Sequence, residues 1–282
     1  MSGEAPGDLL ADGLAAAACR ILMTADPWAK AALSRRTAAA WRDIRARGDV
    51  IEIGVADPPD FPMRPATPVL KEPREMPRRR PGTLAGRTAL LHAVAHIELN
   101  AIDLHWDIIA RFHKIRMPIG FYDDWVSAGD DEAKHFGLLS DRLVALGSGY
   151  GALDAHAGMW RAAESTAEDL PARLAVVPMV LEARGLDVTP GMIDVFEKAK
   201  DPESVSALQT IYAEEVAHVA FGSKWFNFLC GRHEWDPKDT FHGLVRKYFN
   251  GALKPPFNEP KRADAGLPPD FYWPMAHEHD LR

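Results

Sequence analysis

Two glutamate–histidine pairs in this sequence have the spacing that suits metal binding. Glu132 precedes His135 by three positions, and Glu215 precedes His218 by three. On a helix, residues i and i+3 lie on one face about 4.5 Å apart along the axis, so a carboxylate and an imidazole can reach the same ion. The spacing alone is a weak indication, because a chain with 11 histidines contains such pairs by chance. The position of each pair on its helix is more informative.

Each pair interrupts a stripe of apolar residues. The face of Glu132 and His135 otherwise carries Trp125, Ala128, Leu139, Leu143 and Leu146, and the face of Glu215 and His218 carries Leu208, Ile211, Gly222, Trp225 and Leu229. Glu98 interrupts a third stripe, formed by Leu91, Ala95, Ile102 and Ile109. Such stripes face a protein core, where an unpaired carboxylate costs several kcal/mol. Three helices that each place a glutamate at mid-core therefore call for a compensating cation.

A fourth glutamate completes a recognisable ligand set. Glu182 lies on an otherwise apolar segment, and the spacing from Glu98 to Glu132 nearly equals that from Glu182 to Glu215. Two helix pairs, each with one Glu and one Glu-x-x-His, form the ligand set of di-iron and di-manganese carboxylate bundles. The predicted metal ligands are therefore Glu98, Glu132, His135, Glu182, Glu215 and His218. They suit two divalent transition-metal ions, iron first, with manganese or a mixed Fe/Mn pair left open.

Glu182 is the ligand with the strongest alternative. It follows Pro178 by four positions, and a proline removes a helical hydrogen bond, so we expect a kinked or widened helix there. The alternative is a surface glutamate beside Arg184.

His105 and Tyr212 are candidates for catalytic roles. His105 follows Glu98 by seven positions and so lies on nearly the same face, where it could line a pocket or simply be a hydrogen-bonded core histidine. Tyr212 precedes Glu215 by three positions, which could place its phenol near the metals as a proton donor or radical carrier. The alternative for Tyr212 is packing, with its hydroxyl bonded elsewhere.

His92 and His96 form a further i, i+4 pair on the helix of Glu98. Such a pair could bind a metal of its own, but the two residues lie on a different face from Glu98. Buried histidines that bond to neighbouring segments are the other reading, and the sequence does not fix their role.

Four helical stretches must position these residues: 83–114, 121–147, 168–186 and 202–230. The second ends at Gly147, a suitable C-cap, and the fourth begins at Asp201-Pro202, a good N-cap and first helical position. A long connection over 148–167 joins the second stretch to the third. This layout predicts an all-α fold: a four-helix bundle with one long crossover.

The remaining sequence predicts four parts: a helical segment at 1–56, a proline-rich strap at 57–82, the bundle at 83–250, and a tail at 251–282 rich in proline and aromatic residues. Pro27 marks a break within the first helical segment. Eight of the 22 prolines lie between Asp57 and Pro81, which excludes regular helix and favours an extended strap. The tail carries Phe257, Phe271, Tyr272 and Trp273, which could fasten it to the protein.

The chain resembles the ferritin-like superfamily, and most closely a bacterial family in it described as a domain of unknown function. The resemblance rests on LLHAVAHIELNAIDLHWD, DDEAKHF, MVLEARGLD and EEVAHVAFG, and it extends from TADPWAK near the start to KPPFN near the end. It implies a di-metal helical bundle but names neither reaction nor substrate. In that superfamily, the acid before each Glu-x-x-His bonds the ligand histidine of the opposite motif, which fixes its tautomer. This implies that Asp131 bonds His218 and that Glu214 bonds His135.

Composition restricts the class of protein and its partners. A net charge of −7 disfavours a nucleic-acid partner. Two cysteines cannot form a disulfide framework and suggest a reducing compartment. No apolar run is long enough to span a membrane, and the start lacks the positive charge of a signal peptide. We therefore expect a cytoplasmic protein of unspecified oligomeric state.

These features favour an O₂-activating oxidase or hydroxylase that acts on an organic small molecule. No G-x-G-x-x-G fingerprint is present, so electrons would come from an external donor. One alternative is a ferroxidase or iron-handling protein. A second is a metal-stabilised helical scaffold that binds a protein partner, and a third is a relative of tRNA-modifying hydroxylases. A structural site is closed, whereas a catalytic one keeps an open coordination position beside a pocket.

Overall fold

The computed structural model of the chain describes residues 8–49, 52–72, 75, 77, 80–156, 158–249 and 252–277. These residues are mostly helical, which confirms the predicted all-α class. Residues 1–7, 50, 51, 73, 74, 76, 78, 79, 157, 250, 251 and 278–282 lie outside the described residues. The chain divides into two compact units, Met1–Trp160 and Arg161–Arg282. This boundary lies inside the segment 83–250 that the sequence assigns to one bundle.

The first unit is built on four helices and one short strand pair. They are α1 (Leu14–Leu22), α2 (Pro27–Arg47), β1 (Leu70–Lys71), α3 (Leu84–Arg111), α4 (Ile119–Ala145) and β2 (Ala155–His156). The predicted break falls before Pro27, where the Asp26 side chain caps α2 by accepting a hydrogen bond from the Ala29 amide at 2.8 Å. Thr83 caps α3 in the same way through the Gly86 amide. The predicted stretches 83–114 and 121–147 therefore correspond to α3 and α4.

Gly129 lets three helices of the first unit approach closely. A Cβ at this position would lie 2.6 Å from Nε1 of Trp106. The Trp106 indole donates to Oγ of Ser34 at 2.7 Å, and Ser34 donates in turn to the Gly129 carbonyl at 2.7 Å. This chain of bonds ties α2 and α3 to α4 one turn before Glu132. It provides hydrogen-bond partners for the fully buried Trp106 N–H and Ser34 hydroxyl.

The described residues of the proline-rich strap have little regular secondary structure. Its residues hold to the first unit through backbone contacts: the Met63 amide donates to the Leu22 carbonyl at 2.8 Å, and Arg111 donates to the Pro59 carbonyl at 2.7 Å. At its end, β1 pairs in parallel with β2, with Leu70 opposite Ala155. The predicted connection 148–167 therefore contains a strand, and also the helix α5 (Gly158–Ser165).

The second unit contains the other two predicted stretches. Its elements after α5 are α6 (Leu170–Val176), a π-helical segment (Val177–Glu182), α7 (Ala183–Lys198), α8 (Pro202–His233), α9 (Pro237–Tyr248), α10 (Glu259–Asp264) and α11 (Pro269–His277). The third predicted stretch, 168–186, is longer than expected, because the chain stays helical to Lys198 despite Pro190. Helix α8 begins at Pro202 with Asp201 as its cap, as predicted.

Pro178 produces the widening that the sequence predicts. The π-helical segment begins one residue before it and ends at Glu182. A wider turn accommodates the missing proline N–H and the bulk of its ring. The ring packs against α8 at Gly222, where a Cβ would lie 2.5 Å from two ring carbons. Glycine at 222 is therefore required for this approach.

The C-terminal tail is more helical than predicted. It contains α10 and α11, because Pro260 and Pro269 fall in the first turn of a helix, where a missing N–H costs nothing. Of the four predicted aromatic anchors, Tyr272 is fully buried and Phe271 nearly so, whereas Phe257 and Trp273 are half-buried. Arg262 donates to both carboxylate oxygens of Asp187 on α7, at 2.8 and 2.7 Å, and so fastens the tail within the second unit.

Among the described residues, none of the helices combines the length and the apolar character that crossing a bilayer requires.

Candidate metal centre

Three predicted ligands meet in the core of the first unit. Glu98 comes from the middle of α3, and Glu132 and His135 come from one face of α4. Each side chain is buried, as the apolar stripes predict. One donor atom from each of the three lies within 4.8 Å of the others. These residues could hold a metal ion.

The distances in this cluster are those of donors around one ion. Nδ1 of His135 lies 3.2 Å from Oε2 of Glu98 and 3.5 Å from Oε2 of Glu132. Metal–nitrogen and metal–oxygen bonds of about 2.1 Å place neighbouring donors roughly 3 Å apart. The side chains therefore need little rearrangement to share an ion.

The electrostatics of the cluster favour a cation. Burial raises the pKa of the Glu98 carboxyl well above its ordinary value, and the neighbouring Glu132 carboxylate raises it further. The hydrogen bond from His135 acts in the opposite direction but is the smaller influence. Two carboxylates in a dry core repel each other unless a proton or a metal ion lies between them. The donor set, two acids and an imidazole, fits a divalent first-row metal.

His105 belongs to this cluster, which the sequence did not establish. Its Nε2 lies 3.3 Å from Oε1 of Glu132, and its ring stacks on Trp125 with centroids 5.4 Å apart. The side chain is fully buried. Its position seven residues after Glu98 was a usable signal for the face of α3. Only the tertiary structure identifies Glu132 as its neighbour.

The second unit carries the other predicted ligands. Glu215 and His218 lie buried on α8, with Nδ1 of His218 3.6 Å from Oε1 of Glu215. Glu182 is buried at the end of the π-helical segment, which packs against α8. The surface alternative for Glu182 is therefore wrong. Both units thus bury one Glu-x-x-His and one further glutamate.

Asp131 and Glu214, the acids that precede the two Glu-x-x-His motifs, were predicted to bond the histidine of the opposite motif. Asp131 forms an ion pair with Lys134 at 2.8 Å within α4, on a partly exposed face. Glu214 is half-buried on α8. The bonds from Asp131 to His218 and from Glu214 to His135 stay predictions.

The hydroxyl of Tyr212 is hydrogen-bonded to the C-terminal tail, as the packing alternative expects. Its phenol oxygen accepts a hydrogen bond from the Asn258 side chain at 2.6 Å. Asn258 in turn donates to the Leu186 carbonyl and, through its backbone, to Asp187. Tyr212 therefore helps to hold the C-terminal tail, and its catalytic role stays a prediction.

His92 and His96 both bond to the segment that follows α4. Nε2 of His92 accepts the Gly151 amide at 3.0 Å, and Nδ1 of His96 lies 2.8 Å from the Tyr150 hydroxyl. Burial, aided by the nearby Arg64 guanidinium, lowers the pKa of His96 to about 3, so its imidazole is neutral at physiological pH. Both histidines thus fasten the connection after α4 onto α3.

The class of protein follows from these observations. It is a mostly helical protein whose core contains buried glutamate and histidine groups that could bind a metal. The chain belongs to the family described as "Protein of unknown function (DUF455)", whose model matches residues 23–273. The match begins just before α2 and ends within α11, so it includes every predicted ligand.

A relative comes from Haemophilus influenzae. That protein, described as "Uncharacterized protein", is 38% identical to this chain over 208 residues, which is 72% of each of the two chains. No solved structure matches the chain with significance.

Proposed function

We propose that this protein is a ferritin-like di-metal carboxylate protein that activates O₂ and oxidises an organic small molecule. The observation that carries the proposal is the burial of Glu98 beside Glu132 and His135, where a bound cation would relieve the repulsion between the two acids. The repeated set in the second unit, Glu182 with Glu215 and His218, supplies the count that two ions require. Iron is the first candidate, and manganese or a mixed pair uses the same ligand types.

The chemistry of the donors supports a redox-active pair. Four carboxylates and two imidazoles compensate two divalent charges and leave coordination positions for O₂ or water. Two reduced irons held in this way supply the electrons that oxygen activation needs. The substrate, an external electron donor and a cytoplasmic location are parts of the proposal.

The residues of the chain have separate tasks in this proposal. Glu98 and Glu132 hold positive charge in the core, and His135 provides a neutral nitrogen donor. Trp125 and Phe136, both fully buried beside these groups on α4, exclude water from the first unit's cluster. Exclusion of water strengthens the electrostatic interactions there and protects reactive species from side reactions.

Metal loading tests the proposal directly. We expect the purified protein to take up two equivalents of Fe(II) under anaerobic conditions and to change its visible absorption on exposure to O₂. Glu132→Ala and Glu215→Ala each remove one proposed ligand and should reduce uptake below two equivalents. Glu197→Ala, an exposed glutamate on α7, is the matched control and should bind as the wild type does.

The outcomes distinguish the alternatives. Absence of uptake by the wild type, or equal uptake by all three variants, would refute the di-metal proposal. Uptake followed by no response to O₂ would favour a metal-stabilised scaffold. Rapid oxidation of Fe(II) in excess, with mineral formation, would favour iron handling.

A further inference from the structure

The two oxygens of Glu132 face different histidines. Oε2 lies 3.5 Å from Nδ1 of His135, whereas Oε1 lies 3.3 Å from Nε2 of His105. A carboxylate in this arrangement can bridge two ions, one beside each oxygen. The first unit therefore has a histidine nitrogen on each side of the Glu132 carboxylate.

We propose that His105 is a metal ligand, on the opposite side of Glu132 from His135. The inference rests on the proposed di-metal function and adds a third imidazole to its six ligands. The donor separation of 3.3 Å matches neighbouring ligands of one ion, which lie roughly 3 Å apart.

The surroundings of His105 hold its ring in the orientation that ligation needs. Its imidazole stacks on the Trp125 indole with an angle of 23° between the planes. Both rings are fully buried. A ring fixed in this way meets a metal ion with little loss of conformational entropy. The same helix presents Glu98 two turns earlier, so α3 contributes an oxygen donor and a nitrogen donor.

An additional nitrogen makes the two metal positions unequal. A site with more imidazole ligands favours later first-row ions more strongly than a site made of carboxylates alone. We therefore expect the position beside His105 to bind Co(II) or Zn(II) more tightly than a position with one histidine. This is a property of this chain's residues and is measurable without any substrate.

A Co(II) titration of the full-length protein tests the proposal. His105→Phe keeps an aromatic ring against Trp125 but removes both nitrogens. We expect the wild type to bind two equivalents of Co(II), and His105→Phe to bind one of them more than about 100-fold more weakly, which exceeds the roughly 10–100-fold cost of losing a residue that only positions a ligand. Proton spectra of the Co(II) form should also lose one paramagnetically shifted imidazole N–H signal, which counts histidine ligands.

Two further variants separate ligation from other roles. His105→Gln retains an N–H that can reach Glu132, so recovery of wild-type affinity and spectrum in this variant would overturn the proposal in favour of a positioning role. His113→Gln changes a half-buried histidine just after α3 and should leave the titration unchanged. Circular dichroism and thermal unfolding of the metal-free variants show whether the fold is intact.

Failure of this inference differs from failure of the proposed function. If the wild type binds two equivalents and His105→Phe binds them with the same affinity and spectrum, only the role of His105 is refuted. If the wild type binds no Co(II) or Fe(II), the di-metal function is refuted as well.

Discussion

At the scale of single residues, the core of the first unit contains charges on both faces of α3. On one face Glu98 lies beside Glu132. On the other, Asp103 pairs with Lys30 from α2, and both side chains are almost completely buried. Lys30 also donates to the Met63 carbonyl at 3.1 Å, and Arg64 lies 3.5 Å from Asp103, so the pair fastens the strap to the helices. Burial lowers the pKa of Lys30 and raises that of Asp103, while each charge opposes the other's shift.

Lys30→Met should destabilise the protein strongly. It leaves the Asp103 carboxylate buried without its main partner, and loss of one member of a buried pair costs about 3–5 kcal/mol. The double variant Lys30→Met/Asp103→Leu should be more stable than Lys30→Met, because it also removes the buried Asp103 charge that Lys30→Met leaves uncompensated. Urea unfolding of the wild type, both single variants and the double variant measures the coupling. Additive effects of the two substitutions would contradict the prediction.

Cys230 should react slowly with alkylating reagents. Its thiol is buried, and this burial raises the pKa of Cys230 to about 11, with the nearby Asp236 carboxylate adding to the shift. The thiolate is the reactive form, so at pH 8 only about 0.1% of the thiol is available, and the rate should rise about tenfold per pH unit. Mass spectrometry after iodoacetamide treatment at pH 7 to 10 measures this rate. Cys19, which is less buried, should be labelled first, and a rate for Cys230 that levels off below pH 9 would disagree with the structure.

At the scale of elements, the π-helical segment and α8 determine how the second unit presents its glutamates. Pro178 widens the turn that ends at Glu182, and the absence of a side chain at Gly222 gives the proline ring space. Gly222 follows His218 by one turn on α8. The position of Glu182, a predicted ligand, therefore depends on the contact between Pro178 and Gly222, neither of which has a side chain that can bind a metal.

Gly222→Ala should destabilise the protein, although alanine is the better helix former. Its Cβ would lie 2.5 Å from the ring of Pro178, so the segment must shift at a cost of about 1–3 kcal/mol. Gly231→Ala on the same helix meets nothing within 4 Å and should stabilise by up to about 1 kcal/mol. Thermal unfolding of both variants gives the comparison. Equal effects in the same direction would show that the contact with Pro178 does not matter.

At the scale of the whole molecule, metal binding should be linked to stability. An ion that binds only the folded chain stabilises it by about 2.7 kcal/mol at one hundred times its Kd. For a chain of this size, we expect an increase in Tm of about 5–10 °C on adding Fe(II) or Mn(II), reversed by a chelator. Differential scanning calorimetry under anaerobic conditions measures the change.

The variant Glu132→Ala tests whether the metal-induced increase in Tm depends on this proposed ligand. It removes one of two adjacent buried acids, so the metal-free Tm should not fall as far as an ordinary core truncation would lower it, while the metal-induced increase is lost. Glu197→Ala should keep the full increase. A metal-induced increase of wild-type size in Glu132→Ala would contradict the assignment of this ligand.

The sequence by itself indicated the main helices and the glutamates and histidines that they bury. Helical periodicity placed Glu98, Glu132, Glu215 and their histidines on apolar faces, since residues three and four apart share a face whatever the rest of the chain does. Prolines likewise indicated the strap and the widened turn at Pro178 because they remove a backbone donor locally. The helices of the tail were missed because the same prolines, in a first turn, are compatible with a helix.

Only the tertiary structure decided which distant side chains meet. His105 lies 27 positions from Glu132, and Lys30 lies 73 from Asp103, so no local pattern links them. Such contacts depend on how helices pack and on which rotamer each side chain adopts, and periodicity contains neither. Tyr212 shows the same limit: its spacing from Glu215 fixed its face of α8, but packing of the C-terminal tail placed Asn258 against its hydroxyl.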